Sequence, residues 1–219
     1  LYHRGPDAGD VWVDEPEGIG LGHRRLKVID LSENGAQPMH SACNRYVLVF
    51  NGEIYNHQTI RAELEDYGLP PNWRGHSDTE ILLAGFVAWG VVATLQRAVG
   101  MFSLALWDKK ERRLTLGRDR FGEKPLYYGW LGKGNGQTFV FGSELKALRA
   151  FPNFDNPINR DVLALYFRFS AVPAPYSIFQ DIFKLEPGHV LILQNEGFNH
   201  KAIKIEPYWQ LTDAVNKGA

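Results

Sequence analysis

The chain has 219 residues, of which 44% are hydrophobic and 22% charged, and its formal net charge is -1. This composition is ordinary for a globular domain, and it creates no overall field that would attract nucleic acid or an anionic membrane, so we expect neither as a partner. The single cysteine, Cys43, excludes a disulfide within the chain and fits the reducing conditions of the cytoplasm.

Neither a membrane span nor a signal peptide is predicted. No apolar run approaches the 18 residues that a transmembrane helix needs. Residues 1–7 lack the basic and apolar regions of a signal peptide, and they do not begin with methionine. We therefore expect that further residues precede Leu1 in the complete protein.

Apolar runs separated by turn-forming residues predict a series of strands. They cover residues 11–13, 19–21, 26–31, 46–50, 101–107 and 139–141, and a late pair, 190–193 and 202–205, is joined through 195–197. The run 46–50 is apolar at every position rather than at alternate ones, and the run 101–107 is apolar everywhere except at Ser103. Both of their faces must be covered, which predicts stacked sheets or sheets with helical cover.

Helix signals flank these strands. Asn56 is a suitable N-cap for a helix that Gly68 closes, and its apolar positions follow helical spacing. Ser77 and Glu80 have the spacing of a capping box, ahead of a helix that is apolar nearly all round. Two further helices are predicted at residues 144–150 and 160–169.

Three clusters carry residues suited to chemistry: residues 22–26, 51–56 and 75–78. Arg25 offers a guanidinium that can bind the carboxylate of an α-amino acid, and Asp78 offers a carboxylate for its ammonium. If the ligand's side chain is an amide to be cleaved, the Asn51 side chain and the Gly52 N–H can stabilise the oxyanion that forms.

Each of these signals also has a structural interpretation. Asn51-Gly52 is a favoured hairpin turn, Asp78 can simply favour a helix dipole, and Arg25 can be a solvated surface arginine. The seven histidines show no metal-ligand spacing, so we expect no metal site.

The clusters belong to a longer series of motifs along the chain. The series is RGPD at 4–7, GHRRL at 22–26, GAQP at 35–38, NGEIYN at 51–56, SDTE at 77–80, GMF at 100–102, ALWD at 105–108, RDRFG at 118–122, KPLYY at 124–128 and SELKAL at 143–148. Together these ordered motifs resemble the class II glutamine amidotransferase domains of the glutamine-hydrolysing asparagine synthetases.

The resemblance implies an α+β fold, the αββα sandwich of two antiparallel sheets found in N-terminal-nucleophile hydrolases, without its first strand in these residues. It implies a glutaminase domain at residues 1–150, a C-terminal part of the same domain at 151–209 that leads towards a synthetase domain, and a linker at 210–219.

The resemblance also implies roles for individual residues. Arg25 would hold the glutamine carboxylate and Asp78 its ammonium. Asn51 and Gly52 would form the oxyanion hole, and Glu53 would line the same pocket. The nucleophile of such domains is a cysteine at the mature N-terminus, which is absent here. Cys43 is no substitute, because it lies in a polar turn without a terminal amine to act as base.

The implied function is release of ammonia from glutamine for ATP-dependent amidation of aspartate. No cofactor is expected in this domain, whereas ATP and magnesium would serve the synthetase domain of the same polypeptide; a homodimer is possible. One alternative is an amidotransferase with another acceptor, such as a uronic acid of a polysaccharide. Another is a non-catalytic domain that binds glutamine or a partner protein and has lost its cysteine.

Overall fold

Eleven strands are described in the computed structural model, which covers residues 1–28, 30–68, 72–152, 154–194 and 203–218. The strands are β1 (Ala8–Asp14), β2 (Ile19–Arg25), β3 (Met39–His40), β4 (Tyr46–Ile54), β5 (Gly100–Asp108), β6 (Arg113–Arg118), β7 (Tyr127–Leu131), β8 (Thr138–Gly142), β9 (Ile182–Lys184), β10 (His189–Gln194) and β11 (Ile203–Pro207). The helices are α1 (His57–Asp66), α2 (Asp78–Trp89), α3 (Val91–Arg97), α4 (Leu145–Arg149), α5 (Arg160–Phe169) and α6 (Leu211–Gly218). None of the helices in these ranges is long and apolar enough to cross a membrane.

The central layer is a six-stranded antiparallel sheet in the order β11-β10-β6-β5-β4-β3. Successive side chains of β4 alternate between its two faces. Leu48 and Phe50 pack into one apolar cluster, and Val47 and Val49 pack into another. Both faces of β4 are therefore buried, as its uninterrupted apolar run predicts.

Helices α1, α2 and α3 cover one face of this sheet. Leu82 and Phe86 of α2 and Leu64 of α1 are at most 1% exposed and belong to the same cluster as Leu48 and Phe50. Burying each such side chain contributes about 1.5–3 kcal/mol. Helix α2 is buried almost all round, except at Val87, which is 46% exposed.

The other face packs against a second layer of strands. This layer is divided between a three-stranded sheet, β8-β7-β9, and the β1–β2 hairpin. Trp107 of β5 is fully buried against it, in a cluster with Leu21 of β2 and Tyr128 of β7. Helix α4 covers the far side of the three-stranded sheet through Leu148. The layers thus run helix, sheet, sheet, helix, which confirms the predicted αββα arrangement.

Residues after Phe151 contribute to both strand layers. Strand β9 pairs with β7, while β10 pairs with β6 and β11. The predicted connection at 195–197, and the predicted strand residue Ala202, lie outside the described residues. Helix α5 has the predicted bounds.

Two local predictions are wrong. Residues 26–28, 30 and 31 do not form a strand, and Ile29 lies outside the described residues. The backbone carbonyl of Asp30 accepts a hydrogen bond from the Arg25 side chain instead of a neighbouring strand. The capping box is incomplete: Ser77 caps α2 by accepting from Thr79 N, whereas the Glu80 carboxylate accepts from the backbone N–H groups of Arg74 and Gly75.

Candidate active site

A cavity of about 470 Å³ opens beside the end of β4, between the β2 and β8 strands of the second layer. All five residues singled out from the sequence line it: Arg25, Asn51, Gly52, Glu53 and Asp78. They arrive from three different parts of the chain, namely the end of β2, the end of β4 and the first turn of α2. The structure therefore brings the three sequence clusters together.

Arg25 is the last residue of β2 and is only 7% exposed, which excludes its interpretation as a solvated surface arginine. Its guanidinium donates to the carbonyl of Ser32 at 2.8 Å and to the carbonyl of Asp30. Gly35 lies so close to Nη2 that a Cβ at this position would overlap it. Its hydrogen-bond acceptors are neutral carbonyls, which fix the orientation of the guanidinium, and the Asp30 carboxylate interacts with it electrostatically without forming an ion pair, so the guanidinium can still bind an anion.

Asp78 opens helix α2 and is 5% exposed. Its Oδ2 accepts from the backbone N–H of Ile54 at 2.9 Å. Burial raises the pKa of the Asp78 carboxyl; the N–H groups of Ile54 and Thr79 oppose this effect, and nearby Glu53 adds to it. A cation in the cavity would stabilise the ionised form. The helix dipole also favours a carboxylate here, so the two interpretations of Asp78 are compatible.

Asn51 and Gly52 lie inside strand β4, opposite Ser103 and Phe102 of β5, so the hairpin-turn interpretation is wrong. The Asn51 side chain donates from Nδ2 to Ser143 Oγ at 3.3 Å. Gly52 has no room for a side chain, because a Cβ would overlap the carbonyl of Met101.

The direction of the Gly52 N–H follows from its neighbours in the strand. The N–H of Phe50 donates to Gln37 Oε1 at 2.6 Å, and the N–H of Ile54 donates to Asp78 Oδ2. Both therefore point away from β5. Since N–H directions repeat every second residue, Gly52 directs its N–H to the same edge, between these two. A carboxamide and a backbone N–H on consecutive residues thus border the cavity.

Several lining residues lie outside the three sequence clusters, namely Asp30, Gln37 and Ser143. His23 lies within the first cluster, but the sequence assigned it no role. His23 donates from Nε2 to the Phe50 carbonyl at 3.1 Å, which ties β2 to β4 beside Asn51. Burial lowers the pKa of His23 to about 4, so its ring is neutral at ordinary pH. Gln37 lies within the GAQP motif, but its bond to Phe50 had no local signal, since the two residues meet only in the tertiary structure.

Cys43 lies near the other end of β4, in the turn before Tyr46, and does not line the cavity. Partial burial raises the pKa of its thiol, but hydrogen bonds from Ser41 and backbone groups outweigh this effect and leave the pKa below its usual value. Among the described residues, no three His, Cys, Asp or Glu side chains are grouped so as to hold a metal ion.

Curated relatives cover nearly the whole chain. It is 39% identical to asparagine synthetase (glutamine-hydrolyzing) 1 of Bacillus subtilis and 35% identical to asparagine synthetase (glutamine-hydrolyzing) 3 of the same organism, over 90% and 96% of its residues. It is 32% identical, over 96% of its residues, to amidase chry2 of Gibberella zeae. The chain spans only 29%, 32% and 29% of the lengths of these three relatives.

Solved structures share its fold. The glutamine phosphoribosylpyrophosphate amidotransferase of B. subtilis, complexed with ADP and GMP, superposes with a TM-score of 0.58 at 20% identity, covering 87% of this chain and 35% of that one. A structure of the allosteric regulatory enzyme of purine biosynthesis gives a TM-score of 0.59 at the same identity and coverage. These likenesses support the predicted fold class.

The sequence model of one family, described as a glutamine amidotransferase domain, matches residues 1–209. This match covers every residue that lines the cavity. The chain therefore belongs to the glutamine amidotransferase domain family.

Proposed function

We propose that this chain is the glutaminase domain of an asparagine synthetase, in which glutamine is split into glutamate and ammonia. The observation that carries the proposal is the presence of Arg25 and Asp78 in one cavity with the amide-type donors of Asn51 and Gly52. An α-amino acid with a side-chain carboxamide presents complementary groups to all four.

Recognition and catalysis use different residues in this proposal. Arg25 binds the α-carboxylate through charge-assisted hydrogen bonds, and Asp78 binds the α-ammonium. Glu53 lines the same pocket. When the side-chain carbonyl becomes tetrahedral, its oxygen gains negative charge, and the Asn51 carboxamide and the Gly52 N–H donate to it.

The nucleophile is a cysteine thiolate from outside these 219 residues, since Cys43 lies away from the cavity. A base accepts the proton of the thiol, the thiolate sulfur adds to the carboxamide carbon, and the C–N bond breaks as the nitrogen takes that proton from the base and leaves as ammonia. Water hydrolyses the resulting thioester, which releases glutamate and restores the thiol.

In the complete protein, ammonia would attack aspartate activated by ATP and magnesium in a synthetase domain of the same polypeptide. The names of the two B. subtilis relatives support this acceptor. We propose that residues 1–150 and 151–209 form the glutaminase domain, that 210–219 lead to the synthetase domain, and that the protein works in the cytoplasm. Sedimentation velocity would distinguish a homodimer from a monomer.

The test uses the full-length protein and L-glutamine. We expect equimolar glutamate and ammonia from glutamine, and a much lower kcat/KM for glutaramate, the analogue without an α-ammonium. With ATP, aspartate and amide-labelled glutamine, the label should enter asparagine. Absence of both glutamine binding and glutamate release would refute the glutaminase proposal.

A second candidate is an amidotransferase that transfers ammonia to a different acceptor. The similarity to amidase chry2, whose name does not refer to asparagine, supports this candidate. The same labelled glutamine distinguishes the two, with a uronic acid replacing aspartate. Glutamine binding without any turnover would instead indicate a non-catalytic binding domain.

A further inference from the structure

Asp30 is a nearly buried carboxylate in the cavity wall, 9% exposed, to which the proposed reaction assigns no role. Its Oδ1 accepts from the backbone N–H of Ser32 at 2.8 Å and from Ser32 Oγ at 2.6 Å. Its Oδ2 accepts from the backbone N–H of His76 at 3.1 Å. One carboxylate thus joins two loops that are far apart in sequence.

The first loop holds Arg25. The carbonyls of Asp30 and Ser32 are the two acceptors of its guanidinium. The Asp30 carboxylate bonds both the N–H and the hydroxyl of Ser32, so it closes the turn that presents these carbonyls. Any change in that turn moves the acceptors and therefore the cation.

The second loop leads into Asp78. His76 is two residues before Asp78, and Ser77 between them is the N-cap of α2. A second bond joins the loops nearby, from Asn34 Nδ2 to the carbonyl of Arg74 at 2.7 Å. Gly75 lies against the carboxylate: a Cβ there would be 2.5 Å from Asp30 Oδ2.

We propose that Asp30 is a positioning residue that sets the spacing between Arg25 and Asp78, and thereby selects ligands that carry a carboxylate and an ammonium on the same carbon. This inference rests on the proposed function, because it takes glutamine as the ligand of both groups. In this proposal Asp30 acts through its bonds to Ser32 and His76.

The experiment compares Asp30→Asn and Gly75→Ala with the unmodified full-length protein, using L-glutamine and glutaramate as substrates. Asparagine at position 30 keeps the size of the side chain but loses one acceptor, so one of the two loops is released. Alanine at position 75 keeps every charge and displaces the carboxylate sterically. Glu33→Gln is the matched control, because Glu33 pairs with Lys27 and touches neither Arg25 nor His76.

We expect both variants to raise the KM for glutamine about tenfold or more while kcat changes much less, since ligand ends rather than reacting atoms are misplaced. The preference for glutamine over glutaramate, measured as the ratio of kcat/KM values, should fall by a similar factor. Glu33→Gln should match the unmodified protein in both measurements.

A purely structural role would lower the activity on both substrates equally, and that result would overturn the inference. So would an unchanged KM in both variants. If circular dichroism shows that Asp30→Asn does not fold, Gly75→Ala decides the question. Failure of the proposed function is distinguishable, because the unmodified protein itself would then neither bind nor hydrolyse glutamine, and the inference would fall with it.

Discussion

Arg25 and Asp78 line one cavity although they come from opposite sides of the central sheet. Arg25 ends β2, in the strand layer on one face, and Asp78 begins α2, in the helical layer on the other. They meet because β4 ends between the two layers, where the Ile54 N–H bonds Asp78 and the Phe50 carbonyl bonds His23 of β2. The end of β4 is thus the common support of the site.

Replacing Arg25 by alanine should raise the KM for glutamine roughly 100-fold, the effect of losing charge-assisted hydrogen bonds to a carboxylate. Steady-state glutamate release in the full-length protein measures it. Arg61→Ala removes an arginine of α1 that pairs with Glu65, and this control should leave the KM unchanged. Equal KM values for the Arg25 variant and the unmodified protein would contradict the assignment.

Glutamine binding should weaken as the pH falls towards the raised pKa of Asp78, above its ordinary value of 3.8. The carboxylate is ionised only above its pKa, and only the ionised form attracts the ligand's ammonium. Asp78→Asn should raise the KM and abolish this part of the pH dependence. The measurement is the KM for glutamine between about pH 5 and 8, the range in which folded proteins are usually most stable. A similar slope in the variant would argue against Asp78 as its source.

The same substitution should not destabilise the fold at neutral pH. Because the folded-state pKa of Asp78 is raised, its contribution to stability is largest below 3.8 and is lost as the pH rises through the folded-state pKa. At neutral pH the ionised carboxylate is buried at a cost in free energy, which a neutral asparagine avoids. We therefore expect a gain of about 0.5–2 kcal/mol in the free energy of unfolding. Urea denaturation at pH 7 checks it, and a clear loss of stability would be inconsistent with burial as the main cause of the shift.

Asn51→Ala should lower kcat for glutamine by roughly 100- to 1,000-fold with little change in KM, as for the loss of one oxyanion donor. Ser143→Ala, which removes the hydrogen-bond partner of Asn51 Nδ2, should have a smaller effect in the same direction. Gln58→Ala removes an exposed carboxamide from α1 and serves as the control. A rise in KM without a fall in kcat would assign Asn51 to binding instead of transition-state stabilisation.

Gly52→Ala should destabilise the fold by about 1–3 kcal/mol, because the added Cβ overlaps the backbone of Met101, which cannot rotate away. Gly20→Ala is a matched control in strand β2, since nothing lies within 4 Å of the added Cβ. The free energies of unfolding of both variants measure the difference. Equal stability in the two would show that β5 can move aside.

Local patterns predicted most of the elements. The apolar runs at residues 46–50 of β4 and 104–107 of β5 indicate strands covered on both faces, because side chains alternate along a strand whatever lies around it. The strand prediction failed at residues 26–28, 30 and 31, where the carbonyl of Asp30 accepts a hydrogen bond from Arg25 instead of from a neighbouring strand. The Arg25 side chain thus takes the place of a neighbouring strand as the donor to this carbonyl. No periodicity in the sequence indicates such a contact.

The amino-acid sequence by itself determined the residue types of the site and the family to which they belong, because ordered motifs are properties of the chain. Only the tertiary structure decided that Asn51-Gly52 is a strand segment, that Asp30 joins the loops of Arg25 and Asp78, and that Glu80 binds Arg74 instead of closing a capping box. The pairing of β4 with β5 and the bond of Asp30 to His76 join segments that are distant in the sequence, whereas the Glu80 bonds join the first turn of α2 to the loop just before it. Burial and long-range packing, rather than local propensity, determine which of several possible hydrogen bonds a polar group makes.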